Sequence, residues 1–170
     1  MVVADGTVFE ASDAVMMKHS KLLHDMMVPD DEDEVMEENP TVPLPGVEGP
    51  TLARIIAWCV YNDKDPLPSF NTGPKEEKKA PKIESLAAFH AKFVQDLVPD
   101  DLFDLILGAN LLDIDSLMDL GCLGLALRLR GRTPDEIRTL LNIEPITPAE
   151  EEKVRAENQW LFEMKLPDLT

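Results

Sequence analysis

The sequence predicts an α/β chain in which helices dominate a small three-stranded sheet, and three stretches carry that prediction. The densest apolar run, Asp100 to Arg130, reads as two helices broken at Asn110. Near the start, Val2-Val3-Ala4, Asp5-Gly6 and Thr7-Val8-Phe9 have the form of a short hairpin. Asp-Gly between β-branched residues is the strongest short-range hairpin signal. Thr41-Val42-Pro43-Leu44 supplies the third strand, with Pro43 favouring an edge because it has no N–H to give to a ladder.

Within the organising pair, Phe103, Ile106, Leu107 and Asn110 follow the spacing of one helical face, and Asp100 stands as N-cap one residue after Pro99. The second helix, Asp113 to about Arg130, carries Ile114, Leu117, Gly121 and Leu125 on one side and Met118, Cys122 and Leu129 on another. A helix apolar on two sides must be covered from two sides. It is either the centre of a small domain or it leaves a flank for a partner, and the residues alone leave both open. The break at Asn110 makes a short corner where Leu111 is either an exposed apolar contact or core.

The remaining elements follow in order. Ser12 caps a helix reaching Met17, and Ser20 caps another carrying Leu22, Leu23, Met26 and Met27; both are too short to stand alone. The acidic block at about 30–39 repels itself and reads as a loop. From Thr51 to about Asn62, Leu52, Ile55, Ile56, Cys59 and Val60 recur at helical spacing, with Trp58 and Tyr61 on the flank. Residues 65–81 are rich in proline and charge and read as a linker that forms no core. A helix from Ile83 then sets Leu86, Phe89, Phe93 and Leu97 on one face.

Two later helix starts are spelled out residue by residue. Thr133-Pro134-Asp135-Glu136 and Thr147-Pro148-Ala149-Glu150 are capping boxes with proline at the first helical position. The first launches a helix with Ile137, Leu140 and Leu141, the second a helix to about Met164. Between Pro148 and Asn158 the only large apolar residue of the last helix is Val154; Trp160, Leu161 and Phe162 follow at its end. Such a cluster either clasps the domain or contacts another protein, where tryptophan is over-represented.

Composition narrows the function. Lys and Arg number 16 against 33 Asp and Glu, a net charge of -17, in a chain of 170 residues that is 44% apolar. That field repels phosphate backbones and anionic lipid, so neither nucleic acid nor a membrane is an expected partner. No run approaches the roughly 20 apolar residues of a membrane span. Cys59 and Cys122 lie on apolar helical faces and read as buried small hydrophobes in a reducing, intracellular compartment. His19, His24 and His90 have no zinc spacing with them, and there is no glycine-rich phosphate loop. The acidic block lacks the alternating ligands and central glycine of a calcium loop. No catalytic residue, cofactor or metal is expected, and a binding module is the better class.

The chain resembles a known family, the Skp-type adaptors of cullin-based ubiquitin ligases. The resemblance rests on Val42-Pro43-Leu44-Pro45-Gly46-Val47, Ile56-Ala57-Trp58-Cys59, Phe103 to Asn110, Leu112-Asp113-Ile114, Gly131 to Arg138, Asn142-Ile143 and Val154 to Trp160. Order and spacing agree from about Gly6 to Trp160. The resemblance implies a BTB/POZ-type fold: a small three-stranded sheet flanked by helices over 1–129, then a C-terminal helical extension over 130–170 that binds F-box proteins. It implies a non-enzymatic adaptor with two partners, acting in cytoplasm and nucleus. Asn110 and Leu111 fall where the family meets the cullin N-terminal region. Leu117, Cys122, Leu125, Ile137, Leu140 and Trp160 fall in the segments that build the F-box surface. The chain departs from the family pattern at Leu111, usually tyrosine, and at Asp115-Ser116, usually Lys-Gly. Other uses of such a fold are F-box binding without a cullin, an elongin-like adaptor, or a BTB-type dimerising module; it also leaves room for weak self-association.

Overall fold

The computed structural model describes residues 1–3, 6–28, 41–68 and 86–160. The chain forms two compact units, Met1–Arg130 and Gly131–Thr170. The first unit contains β1 (Val2–Val3), α1 (Asp13–His19), α2 (Lys21–Met27), β2 (Pro43–Leu44), α3 (Gly49–Lys64), α4 (Ala88–Gln95), α5 (Pro99–Leu111) and α6 (Asp115–Leu129). The second contains α7 (Pro134–Leu140) and α8 (Pro148–Glu157). The acidic block, most of the expected linker, and Leu161 and Phe162 lie outside the described residues.

The expected three-stranded sheet is not what forms among the described residues. β1 and β2 pair in parallel, Val2 opposite Pro43 and Val3 opposite Leu44, and the sheet has these two strands. The chain does turn back after β1: Met1 and Phe9 exchange backbone hydrogen bonds, with Gly6 at φ 82 between them. The returning limb contributes one bridging residue, Val8, which is 66% exposed. Phe9 beside it packs against the core, but one bridging residue with an exposed side chain makes no third strand.

The core of the first unit lies between α3, α5 and α6. α3 buries Leu52, Ile55, Trp58 and Cys59; Trp58 is fully enclosed rather than flanking, while Val60 turns out to solvent. α5 buries Leu102, Leu105 and Ala109, and the expected stripe of Phe103, Ile106, Leu107 and Asn110 is split: Ile106 packs against α6, Phe103 is half-buried, and Leu107 and Asn110 are exposed. Both sides of α5 are apolar, and periodicity alone cannot choose between them. The small residues choose: at Gly108 an added Cβ would meet Ile55 Cδ1 at 2.8 Å, so this is the side on which α3 can approach.

The stripe expected on α4 is split in the same way. Leu86, His90 and Val94 are buried at four-residue spacing, whereas Phe89 and Phe93 are half-buried. Phe89 stacks on Tyr61 with ring centroids 3.7 Å apart and on Phe93 at 5.6 Å. The near end of the expected linker also packs. Leu67 is buried, its N–H donating to Asn62 Oδ1 at 2.7 Å, and Asp65 O lies 3.1 Å from His90 Nε2.

Helix ends explain the remaining boundaries. α5 starts at Pro99 in the N1 position behind Val98, so Asp100 lies in the acidic first turn and is not the cap. Its C-terminus is a Schellman motif: Ile114 N–H donates to Ala109 O at 2.9 Å and Asp113 N–H to Asn110 O at 3.2 Å. Asp113 takes the left-handed position at φ 51, one that a short polar side chain tolerates. Hence the break falls at 112–114 and Asp113 does not begin α6. Arg128 of α6 reaches back to the end of α4, donating to Val94 O at 2.8 Å and Gln95 O at 3.2 Å.

α6 sits against α5 and α4 through two missing side chains. A Cβ at Gly121 would lie 2.6 Å from Ile106 Cγ1, and one at Gly124 would lie 2.9 Å from Val94 Cβ. Overpacking a tight core costs about 1–3 kcal/mol, against a gain of about 1 kcal/mol in helix propensity for alanine. Gly121→Ala is therefore expected to lower stability by about 1 kcal/mol, read as a fall in urea midpoint at unchanged m-value. An unchanged or raised midpoint would mean that α5 and α6 have slack between them.

Both capping boxes form: Thr133 and Thr147 accept from Glu136 N–H and Glu150 N–H, and each glutamate accepts from its threonine N–H. Those bonds hold Glu136 and Glu150 below their ordinary value of 4.5. A depressed folded-state pKa contributes stability that is present above the unfolded value and is lost as pH falls through the folded one. Helicity of α7 and α8, followed by carbon chemical shifts, is expected to decline below about pH 4.5. Glu150→Gln keeps the bonding pattern without the titration and should flatten that decline in α8 alone.

Candidate functional site

In the first unit, one candidate surface is the corner at the end of α5. The Schellman bonds turn the chain sharply after Leu112, leaving Asn110 exposed and Leu111 44% exposed. Leu111 does not fold into the core; its Cδ2 lies 3.4 Å from the point a Cβ on Gly46 would occupy. One turn earlier Leu107 is 63% exposed, and residues four apart share a helical face. The outer stripe of α5 is thus apolar up to the corner. The spacing puts Leu107 on one face with Phe103, Ile106 and Asn110 but does not say which way that face points; the alternative set, Leu102, Leu105 and Ala109, is the signal that Leu107 faces out.

The second surface of this unit is the flank of α6. The buried side is Ile114, Leu117, Leu120, Gly121 and Gly124. Leu117, assigned by resemblance to the F-box surface, is fully buried and holds the helix down instead. The other side is only partly covered: Cys122 is exposed, Leu127 is 36% exposed, Leu129 is half-buried, and Leu125 is half-buried against the core. So the open question about this helix resolves toward a helix fully covered on one side only.

The two cysteines differ accordingly. Cys59 is buried, and burial pushes its thiol up to about 12. Cys122 was expected to be buried and is not, because the side of α6 that packs is the glycine side. Partial burial, then the Asp119 carboxylate, raise its thiol too. A thiol held protonated is a small apolar contact, not a nucleophile. Among the described residues no three His, Cys, Asp or Glu side chains are grouped so as to hold a metal ion.

The second unit is built differently. No described residue after Arg130 is buried. Ile137 and Leu140 of α7 are half-buried, while Ile143 is 52%, Ile146 42%, Val154 51% and Trp160 56% exposed. α7 closes with a second Schellman motif, Asn142 at φ 50 and Ile143 N–H donating to Arg138 O at 2.9 Å. That motif pairs the residue after the left-handed one with the helix, so Asn142-Ile143 was a readable signal for an apolar side chain here. The polar α8 is held by its cap and by i,i+4 pairs such as Arg155–Glu151 at 3.1 Å, which contribute little at full exposure.

Residues 1–64 match the model of the Skp1 family, tetramerisation domain, and residues 115–161 match the Skp1 family, dimerisation domain. SKP1-like protein 1A of Arabidopsis thaliana is 38% identical over 161 residues, covering 94% of each chain. SKP1-like protein 20 of Oryza sativa subsp. japonica is 39% identical over 172 residues, 94% of this chain and 91% of its own. The E3 ubiquitin ligase complex SCF subunit sconC of Talaromyces stipitatus is 36% identical over 129 residues, 75% of this chain and 78% of its own. With family models over 1–64 and 115–161 and a relative 38% identical over 94% of its length, this chain belongs to the Skp1 family.

Proposed function

We propose that the chain is a non-catalytic adaptor that joins F-box substrate receptors to a cullin scaffold in an SCF-type ubiquitin ligase. The observation that carries the reading is the second unit, where exposed apolar side chains accompany a complete lack of buried residues among those described. A helical segment with no fully buried side chain has only a small hydrophobic term to offset its conformational entropy, so its natural complement is a partner's apolar helices. Family membership and the SCF subunit among its relatives supply the kind of partner. Cys122, Leu125, Ile137, Leu140 and Trp160 are the residues offered to the F-box; Asn110 and Leu111 are those offered to the cullin. Leu107 extends the second set along α5.

Trp160 is the largest exposed apolar group of the second unit. Trp160→Ala is expected to weaken binding of an F-box fragment by about 2 kcal/mol or more, as truncated hot spots do. The urea transition of the first unit should not move. Calorimetric titration measures the first quantity, and an affinity unchanged by the substitution would remove Trp160 from the surface.

Leu111 and the α6 flank are separable because Cys122 lies seven residues into α6 beyond the turn, roughly 10 Å along its axis. Leu111→Lys places a charge where a cullin helix would desolvate it, so affinity for a cullin N-terminal fragment should fall about tenfold or more. Affinity for an F-box fragment should stay within a factor of about three, since independent sites act nearly additively. If cullin affinity does not change, the corner is not the cullin site, and F-box binding without a cullin becomes the better reading.

A further inference from the structure

The corner that carries Asn110 and Leu111 is held by α2, from far away in sequence. Ser20 is fully buried, and its hydroxyl donates to Leu112 O, a contact between residues 92 apart. The same oxygen accepts from Leu23 N–H at 3.1 Å as the N-cap of α2. The next residue, Lys21, donates its backbone N–H to Asp113 O at 3.3 Å. Its ammonium lies 2.7 Å from Asp115 Oδ2 and 3.6 Å from Asp113 Oδ1.

The match is one of orphan groups. A helix start leaves backbone N–H groups unpaired, and a helix end leaves carbonyls unpaired. The Schellman bonds consume the carbonyls of Ala109 and Asn110 but leave those of Leu112 and Asp113 without a partner inside the turn. Ser20 and the first N–H of α2 take those two. The Schellman turn alone fixes the local backbone, and this second set of bonds ties it to another helix.

We propose that Ser20 is a positioning residue for the docking corner, acting through Leu112 O, with Lys21 as its accessory. The proposal rests on reading the corner as the cullin site. Ser20→Ala removes both hydroxyl bonds. Lys21→Pro is a milder second variant: Lys21 is the first helical residue, where proline is favoured, and Ser20 already has the extended φ −104, ψ 115 that a following proline requires. It deletes the N–H to Asp113 O and the ion pairs and leaves the buried serine in place.

The test combines backbone amide exchange with two titrations on the full chain, one against a cullin N-terminal fragment and one against an F-box fragment. In both variants exchange at Asp113 and Ile114 should rise about tenfold, the equivalent of one lost buried hydrogen bond, while amides in the middle of α3 stay protected. Cullin-fragment affinity should drop about tenfold and F-box affinity should stay within about twofold. A uniform rise in exchange, with both affinities unchanged, would make Ser20 a stability residue only and overturn the proposal. If Ser20→Ala does not fold, Lys21→Pro decides by the same readouts. If the unmodified chain binds no cullin fragment, the function assigned to the corner fails. The exchange pattern then decides the clasp by itself: a rise confined to 112–115 upholds it, and a rise throughout overturns it.

Discussion

How deeply α6 can sink between α4 and α5 is set by the absence of two side chains. At Gly121 and Gly124 the helix backbone itself lies against Ile106 and Val94, at distances no Cβ could share. That approach decides which of the two apolar sides of α6 is spent on the domain. Leu117 and Leu120 go inward beside the glycines, and Cys122 and Leu125 are left on the flank. Arg128, donating to the last carbonyls of α4, holds the same contact at its far end. Close packing on that side, with Leu117 and Leu120 beside the glycines, leaves Cys122 and Leu127 exposed on the opposite flank.

The candidate docking surfaces arise from different physics. The corner at Asn110–Leu111 is rigid: its turn is closed by two Schellman bonds, and the carbonyls of Leu112 and Asp113 are taken by Ser20 and Lys21. A partner docking there would need little ordering, which favours affinity from a small contact. The second unit has well-made helix starts but no buried residue among those described. Its capping boxes set where each helix begins, and its apolar groups stay exposed to water. Ordering such a segment costs free energy on binding, which a large apolar contact can offset.

Several sequence expectations failed for one shared reason. The stripes expected on α5 and α4 are divided between core and surface, and Cys122, expected to be buried, is exposed, because each helix has apolar residues on more than one side. Periodicity reports that a stripe exists and is silent about which stripe meets a neighbour. The third strand failed differently: Val8 had the right chemistry for a ladder but no core beneath it. Leu67 shows the converse, a linker residue drawn into the core because Asn62 and His90 satisfy the backbone around it.

By itself the sequence determined what depends on near neighbours along the chain. The threonine–glutamate capping boxes, the proline starts and the helix-dominated order of elements were all legible, since each is closed within one or two turns. So was the thin apolar content of α8, which composition alone reveals. The tertiary structure decided the inward faces of α4 and α5, the open flank of α6, and the clasp of Ser20 on Leu112. Those depend on distances between residues far apart in sequence, where a missing Cβ on one helix or a hydroxyl at the start of another selects among packings that the local pattern leaves equivalent.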